Sequence, residues 1–374
     1  MLKITKLINT PSVNSLVKLW AERYIPDFSI LCLNESHLNI SELIAVASAE
    51  GREKTALKAK TLLRLRCGYA ATETNTLFSY IPNVINLSET EQLSQFTQQV
   101  YQQAIEIYKQ QSLPVAELSE ILQVANTSAS LETIDLFSNA FKEWSQKLLG
   151  LPAVEQLAIA LETSLMQLQN QHLLVKDQRA IGFLSTHFYF STKLILNRFT
   201  LPEQVLLSPY FKFVEEQVSI PWQRVCAAAT KHNFNSSTLA IVQQMLPASY
   251  EIASDIHRRA SHLNPSHCSR RGRLKDPGVR ASSIRDLEMF QAFLWLCVLE
   301  DSMASVEKEL LPLSVMVFPA LKVRWELVEQ IMPLLAAELW TRLEPEQMQI
   351  LMPYIEAMQK LFSNAMKDSY RAIA

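Results

Sequence analysis

Residues Ser88–Tyr108 read SETEQLSQFTQQVYQQAIEIY. Ser88-Glu-Thr-Glu91 is a capping box, in which the serine hydroxyl accepts an orphan backbone N–H and the glutamate reaches back to the cap. Behind it, Phe96, Val100, Ala104, Ile107 and Tyr108 recur at three- and four-residue spacing, the stripe of an amphipathic helix. Helical spacing of this kind dominates the chain, and alternating period-2 runs are scarce. The fold class this predicts is all-α: a multi-helix bundle or irregular helical array.

Working outward, Ser41–Leu65 predicts a long helix ending near Gly68. Pro114 suits the first turn of the next helix, where its missing N–H costs nothing. Ser130–Leu149, Pro152–Leu174 and Gln178–Phe199 predict further helices, and a second box, Thr200-Leu-Pro-Glu203, opens another. Pro209 and Pro221 are expected to cut the chain after that box into short pieces. Trp222–His232 and Ser237–Ala260 are helical by pattern, and a third box, Ser283-Ile-Arg-Asp286, restarts a helix running to about Leu311. Asn264–Ala281 lacks the pattern, so one long Arg-rich loop is expected near 264–282.

Composition agrees. Six glycines stand among 374 residues, where average usage gives about 26. A phosphate-binding loop or a dinucleotide fingerprint needs glycine where the backbone takes positive φ or approaches a ligand. Those classes are excluded, as are most tight-turned β-folds. Hydrophobic residues make up 48% and charged residues 19%, enough for a large core. The most apolar runs, Met289–Leu299 and Leu310–Leu321, are shorter than the roughly 18 residues of a membrane span and read as buried core helices. The N-terminus has no apolar run of signal-peptide length. Five cysteines without a CxxC pair argue against a disulfide framework, which places the chain in a reducing cytoplasm.

Domain breaks are weakly marked. Asn126–Ser130 and Gly150–Pro152 are the best of them. They suggest an N-terminal helical domain over 1–150 and a C-terminal one over 151–374, with a single helical array as the alternative. Leu311-Pro312, Met332-Pro333 and Met352-Pro353 recur at spacings of 21 and 20 residues. Prolines at helix starts or kinks account for this better than a solenoid, because the flanking residues do not repeat.

The segment His257–Arg285 is the distinctive one. It carries Arg258, Arg259, Arg270, Arg271, Arg273, Lys275, Arg280 and Arg285 against a single acid, Asp276. That is a net +7 in a chain of formal charge −2, leaving −9 for the remainder. Arginine offers a planar fork that matches carboxylate and phosphate. These eight residues are the candidate anion- or partner-binding set; the bland alternative is a solvated loop whose arginines pair with neighbouring acidic helices. His257, His262, His267 and Cys268 are weak metal candidates. Their five-residue histidine spacing places successive rings about 140° apart on a helix, so no metal and no cofactor is expected.

Other clusters read as structure. Arg52, Lys54, Lys58, Lys60, Arg64 and Arg66 look like a solvated helix face. His187 shares a stripe with Phe183, Phe190 and Leu194, the position of a core histidine. Glu215-Glu216 and Glu300-Asp301 are adjacent pairs that diverge on a helix, so neither makes a local acid/base site. The tryptophans and methionines of the C-terminal half read as core filling before partner groove. No Walker, GxSxG, HExxH, DDxxD or Glu-x-x-His motif appears, which points away from an enzyme.

The expected function is that of a soluble all-helical interaction or regulatory protein of adaptor or assembly type. It would dock a protein partner, with the Arg-rich loop engaging acidic or phosphorylated groups. The alternative is an enzyme or small-ligand binder holding an anionic ligand between helices against the loop. Nucleic-acid binding ranks third, because no aromatic lies within Asn264–Arg285 to stack a base. The discriminating feature is whether the arginines line a concavity or project from a convex face.

Overall fold

A computed structural model describes residues 13–24, 40–81, 87–111, 154–174 and 177–371. The expected helix at Pro114, the helix Ser130–Leu149, the breaks near 126–130 and 150–152 and the Ser88 side chain lie outside the described residues. The described part is an all-α helical array. Its first helices are α1 (Asn14–Glu22), α2 (Ile40–Ala47), α3 (Ala49–Leu77), α4 (Leu87–Gln110) and α5 (Val154–Leu174). There follow α6 (Ala180–Leu196), α7 (Leu201–Ser219), α8 (Trp222–Ala229), α9 (Ser237–Met245) and α10 (Ser249–Leu263). A two-stranded hairpin, β1 (Cys268–Ser269) with β2 (Gly272–Arg273), precedes α11 (Pro277–Glu300). The chain closes with α12 (Leu311–Ala320), α13 (Trp325–Trp340) and α14 (Pro345–Arg371).

Helix α11 is the axis of the C-terminal half. Every residue from Leu287 to Leu299 is buried, the mark of a helix enclosed on all sides. Helices α8, α9, α10 and α14 pack around it. Helix α6 packs against α3, α7 and α12, and α10 also packs on α13. Side chains from α1 to α14, on both sides of residue 150, share one apolar cluster. Trp222, Trp295, Met289, Met316, Met332, Met348 and Met358 are buried and fill core; Trp325, Met303 and Met352 are partly buried against it, and Trp340 is 49% exposed. Among the described residues no helix is long and apolar enough to cross a membrane.

Several boundaries differ from the sequence expectation for identifiable reasons. The helix expected over Ser41–Leu65 is interrupted at Ser48, whose hydroxyl accepts from Gly51 N (3.1 Å) and donates to Ala45 O (2.6 Å). The two helices meet so closely that a Cβ on residue 51 would lie 2.1 Å from Ala45 O. Gly68 does not end α3. It sits on the exposed face, while Leu63, Cys67, Ala70 and Thr74 hold the other face in the core. Pro209 lies inside α7 without cutting it, because its flanking residues Leu206, Leu207, Tyr210 and Phe211 are buried. The expected Ser237–Ala260 helix is split at Pro247 by a short 3-10 turn, Leu246–Ala248.

Helix α11 starts at Pro277, six residues before the Ser283 box, and ends at Asp301 rather than Leu311. Asp301 takes the left-handed conformation (φ 48°), which aspartate tolerates better than most residues, and its carboxylate accepts from Tyr354 Oη (2.6 Å). A π-helical turn, Val306–Leu310, then leads into α12 with Pro312 in its first turn. Pro333 and Pro353 sit inside α13 and α14. The Thr200 box forms as predicted, with Glu203 accepting from Thr200 N (2.7 Å).

Gly68→Ala is expected to raise unfolding free energy by about 0.5–1 kcal/mol, because the position is open and helical, whereas Gly51→Ala lowers it; urea denaturation reads both. His187 is fully buried and burial pushes its pKa down to about 4 from 6.5. Its folded form is neutral, so its contribution is complete above pH 6.5 and is lost as pH falls towards 4. The loss amounts to about 3 kcal/mol, and H187L removes that part of the pH dependence of stability.

Candidate functional site

The Arg-rich segment folds into the tight hairpin because its single acid organises it. Asp276 Oδ2 accepts from Arg273 N (2.8 Å). Gly272 has φ +125°, and a Cβ there would fall 2.2 Å from Asp276 Oδ2. Glycine is therefore needed at that turn. The hairpin is docked on the helical body by Arg270 N, which donates to Leu321 O (2.8 Å). Leu274 is buried beneath it with Ala260, Val279 and Leu327.

Under the hairpin lies a cavity of about 130 Å³. Its apolar walls include Ile256 and Ala260 of α10, Val279 and Leu287 of α11, Phe318 of α12 and Leu327 of α13. Its polar end is formed by Arg271 of the hairpin and Arg285 of α11, which share the Tyr189 ring of α6, with Asp286 paired to Arg285; Ser269, His257 and His267 also line the cavity.

The eight basic candidates separate into three groups. Arg258, Arg259 and Arg285 are paired: with Asp255 (2.8 Å), with Glu338 (2.8 Å), and with Glu215 (3.1 Å) and Asp286 (3.0 Å). Arg270, Arg273, Lys275 and Arg280 are exposed and have no carboxylate within 4.0 Å among the described residues. Arg271 is alone in being half-buried, lining the cavity and having no carboxylate partner among those residues. Its guanidinium lies 4.5 Å from the Tyr189 ring centroid, and that of Arg285 lies 5.2 Å from the same ring. Both are cation–π distances.

Arg285 stays charged despite burial, because Asp286 and Glu215 outweigh the desolvation and raise its pKa. Burial in turn pushes the Glu215 carboxyl up, with Arg285 opposing. The neighbouring Glu216 points to Arg23 (3.1 Å), which also reaches Glu288 (2.7 Å). The adjacent carboxylates therefore serve two different arginines.

The histidines part company. His267 is 2% exposed, and its Nδ1 accepts from Arg324 Nε (3.2 Å). A guanidinium only donates, so the proton of the neutral ring is on Nε2. That nitrogen is buried and has no hydrogen-bond partner among the described residues. Burial and then Arg324 lower its pKa, which keeps the ring neutral. His257 is likewise lowered, by burial and then Arg280, and its Nε2 meets Ser261 Oγ (3.3 Å). His262 and Cys268 are exposed. Among the described residues no group of three or more His, Cys, Asp or Glu is placed to hold a metal.

Tyr189 and Arg324 are not among the sequence candidates. Tyr189 sits in the Thr186–Phe190 run, which reads as core in the sequence, and it is half-buried in the structure. Arg324 is an isolated arginine just before α13 and carries no signal at all. The basic set on α3 also needs correction at one position. Arg52 is fully buried; it donates to Tyr108 O (2.9 Å) and Ala47 O (3.3 Å) and stacks on the Tyr108 ring. The others stay at the surface or half-buried, with Lys54 paired to Glu50, Lys58 to Glu203 and Lys60 to Glu106.

Comparison of the chain with protein-family models, with curated proteins and with solved structures finds no match.

Arg285→Met strands the Glu215 carboxylate, whose side chain is 13% exposed. The expected loss is on the order of 3 kcal/mol of unfolding free energy, and most of it returns in the R285M/E215Q double variant. R273A and K275A change stability by less than about 0.5 kcal/mol. Urea denaturation of the four proteins checks the contrast.

Proposed function

We propose that the protein binds a small organic anion in the cavity beneath the hairpin. The carrying observation is Arg271: a half-buried guanidinium at the end of an apolar cavity, backed by Tyr189, with no carboxylate partner among the described residues. Apolar walls with a few converging polar groups are the usual composition of a small-molecule site. The apolar body would gain from desolvation, and the charge would be fixed by a charge-assisted hydrogen bond. The arginines split between lining a concavity and facing solvent. The cavity-lining pair supports the ligand-binding alternative over a purely convex docking face.

The exposed quartet Arg270, Arg273, Lys275 and Arg280 supports a second reading, the docking of an acidic protein partner beside the cavity. Such charges raise encounter rate and specificity more than affinity. The two readings make separate demands on separate residues.

Ligand-observed NMR with a mixed library of small acids, amines and neutral compounds tests the first. The hits should be enriched in monoanions and should disappear in Ala260→Phe, which fills the cavity, with thermal unfolding confirming that the variant is folded. Hits without charge preference, or acids that still bind A260F, overturn the reading.

A further inference from the structure

Resting on the reading of this cavity as an anion site, its size and its charge accounting narrow the ligand class. At about 130 Å³ the cavity is close to the roughly 150 Å³ apolar void that accepts benzene, and well below the roughly 300–1,000 Å³ of drug-sized sites. The apolar body it takes is thus one aromatic ring or a short alkyl chain.

The head group is set by the cations that remain. Two guanidiniums line the cavity, and Arg285 is already held by Glu215 (3.1 Å) and Asp286 (3.0 Å). Asp286 itself lines the cavity and repels a second negative charge on any ligand. Arg271 is left as the cavity-lining arginine without a carboxylate among the described residues, and its fork matches the two oxygens of a carboxylate. Stacking on Tyr189 holds that fork in place before a ligand arrives, which lowers the ordering cost of binding. A dianionic phosphate asks for more positive charge than this end of the cavity holds.

We infer that the cavity binds a small monocarboxylic acid with an apolar body of about one ring, its carboxylate accepting from the Arg271 guanidinium.

The test is isothermal titration of the full chain, at mildly alkaline pH, with phenylacetate, benzylphosphonate, 2-phenylethanol and dodecanoate. Phenylacetate should bind, and the dianionic phosphonate and the neutral alcohol should bind at least about tenfold more weakly. Arg271→Met should weaken phenylacetate by roughly tenfold to a hundredfold, with Arg271→Lys intermediate because it keeps the charge and loses the fork. Circular dichroism and thermal unfolding establish that each variant is folded. Tighter binding of benzylphosphonate overturns the carboxylate assignment, and displacement of phenylacetate by dodecanoate overturns the size assignment; in both cases the anion-site reading survives. Unchanged phenylacetate affinity in R271M overturns the role given to that residue. If none of the three anions binds, the anion-site reading falls together with the inference.

Discussion

Burying charge on α7 and α11 is the constraint on which the arrangement rests. Glu215 and Glu216 are neighbours in sequence, and each is largely removed from water. An isolated buried carboxylate is too costly to keep, so each recruits an arginine. Glu216 takes Arg23 at the end of α1, which also spans to Glu288 on α11. Glu215 takes Arg285, also on α11. Two ion-pair systems thereby clamp α7 against α11, and the fully enclosed stretch Leu287–Leu299 is held in register with the helices around it.

The clamp also shapes the cavity. Because Arg285 is committed to Glu215 and Asp286, it presents no unspent charge to a ligand, although it lines the polar end. Arg271, delivered by the hairpin, stands beside it over the same tyrosine ring without such a commitment. One arginine is structural and the other is available. The hairpin that supplies the second depends on Gly272 and Asp276, the one acid of the basic segment. Net charge over the segment describes neither role, because pairing is decided side chain by side chain.

Much of the fold is legible in the chain. The stripe of α4, the Thr200 box and the enclosed run Met289–Leu299 are local patterns that set helix existence and facing. In α6 the pattern gives the helix and buried His187, but Phe190 and Leu194 are half-buried and Phe188, Ser191 and Ile195 face the core instead. The departures share a cause. Intrinsic preference misplaces Ser48, Gly68, Pro209 and Pro247, because packing reverses or relocates each one: Gly68 and Pro209 are carried through their helices by the buried residues flanking them. Arg52 reads like its surface neighbours, whereas the carbonyls of Ala47 and Tyr108 make its burial tolerable. In the candidate site, the arginines are visible by composition and His267 by type. Tyr189 is hidden in an aromatic run that reads as core, and Arg324 in an unremarkable turn.

The sequence by itself determined an all-helical chain, the identity of its enclosed central helix and the position of the cationic segment. Those properties arise from periodicity and composition, which act over a few residues. The tertiary structure alone decided which arginine is neutralised and which is left at a cavity. Arg285 meets Glu215 across 70 residues of chain, and Arg271 meets Tyr189 only because α6 and the hairpin pack side by side. Electrostatic pairing acts through space over a few ångströms, so a one-dimensional pattern counts the charges without assigning their partners.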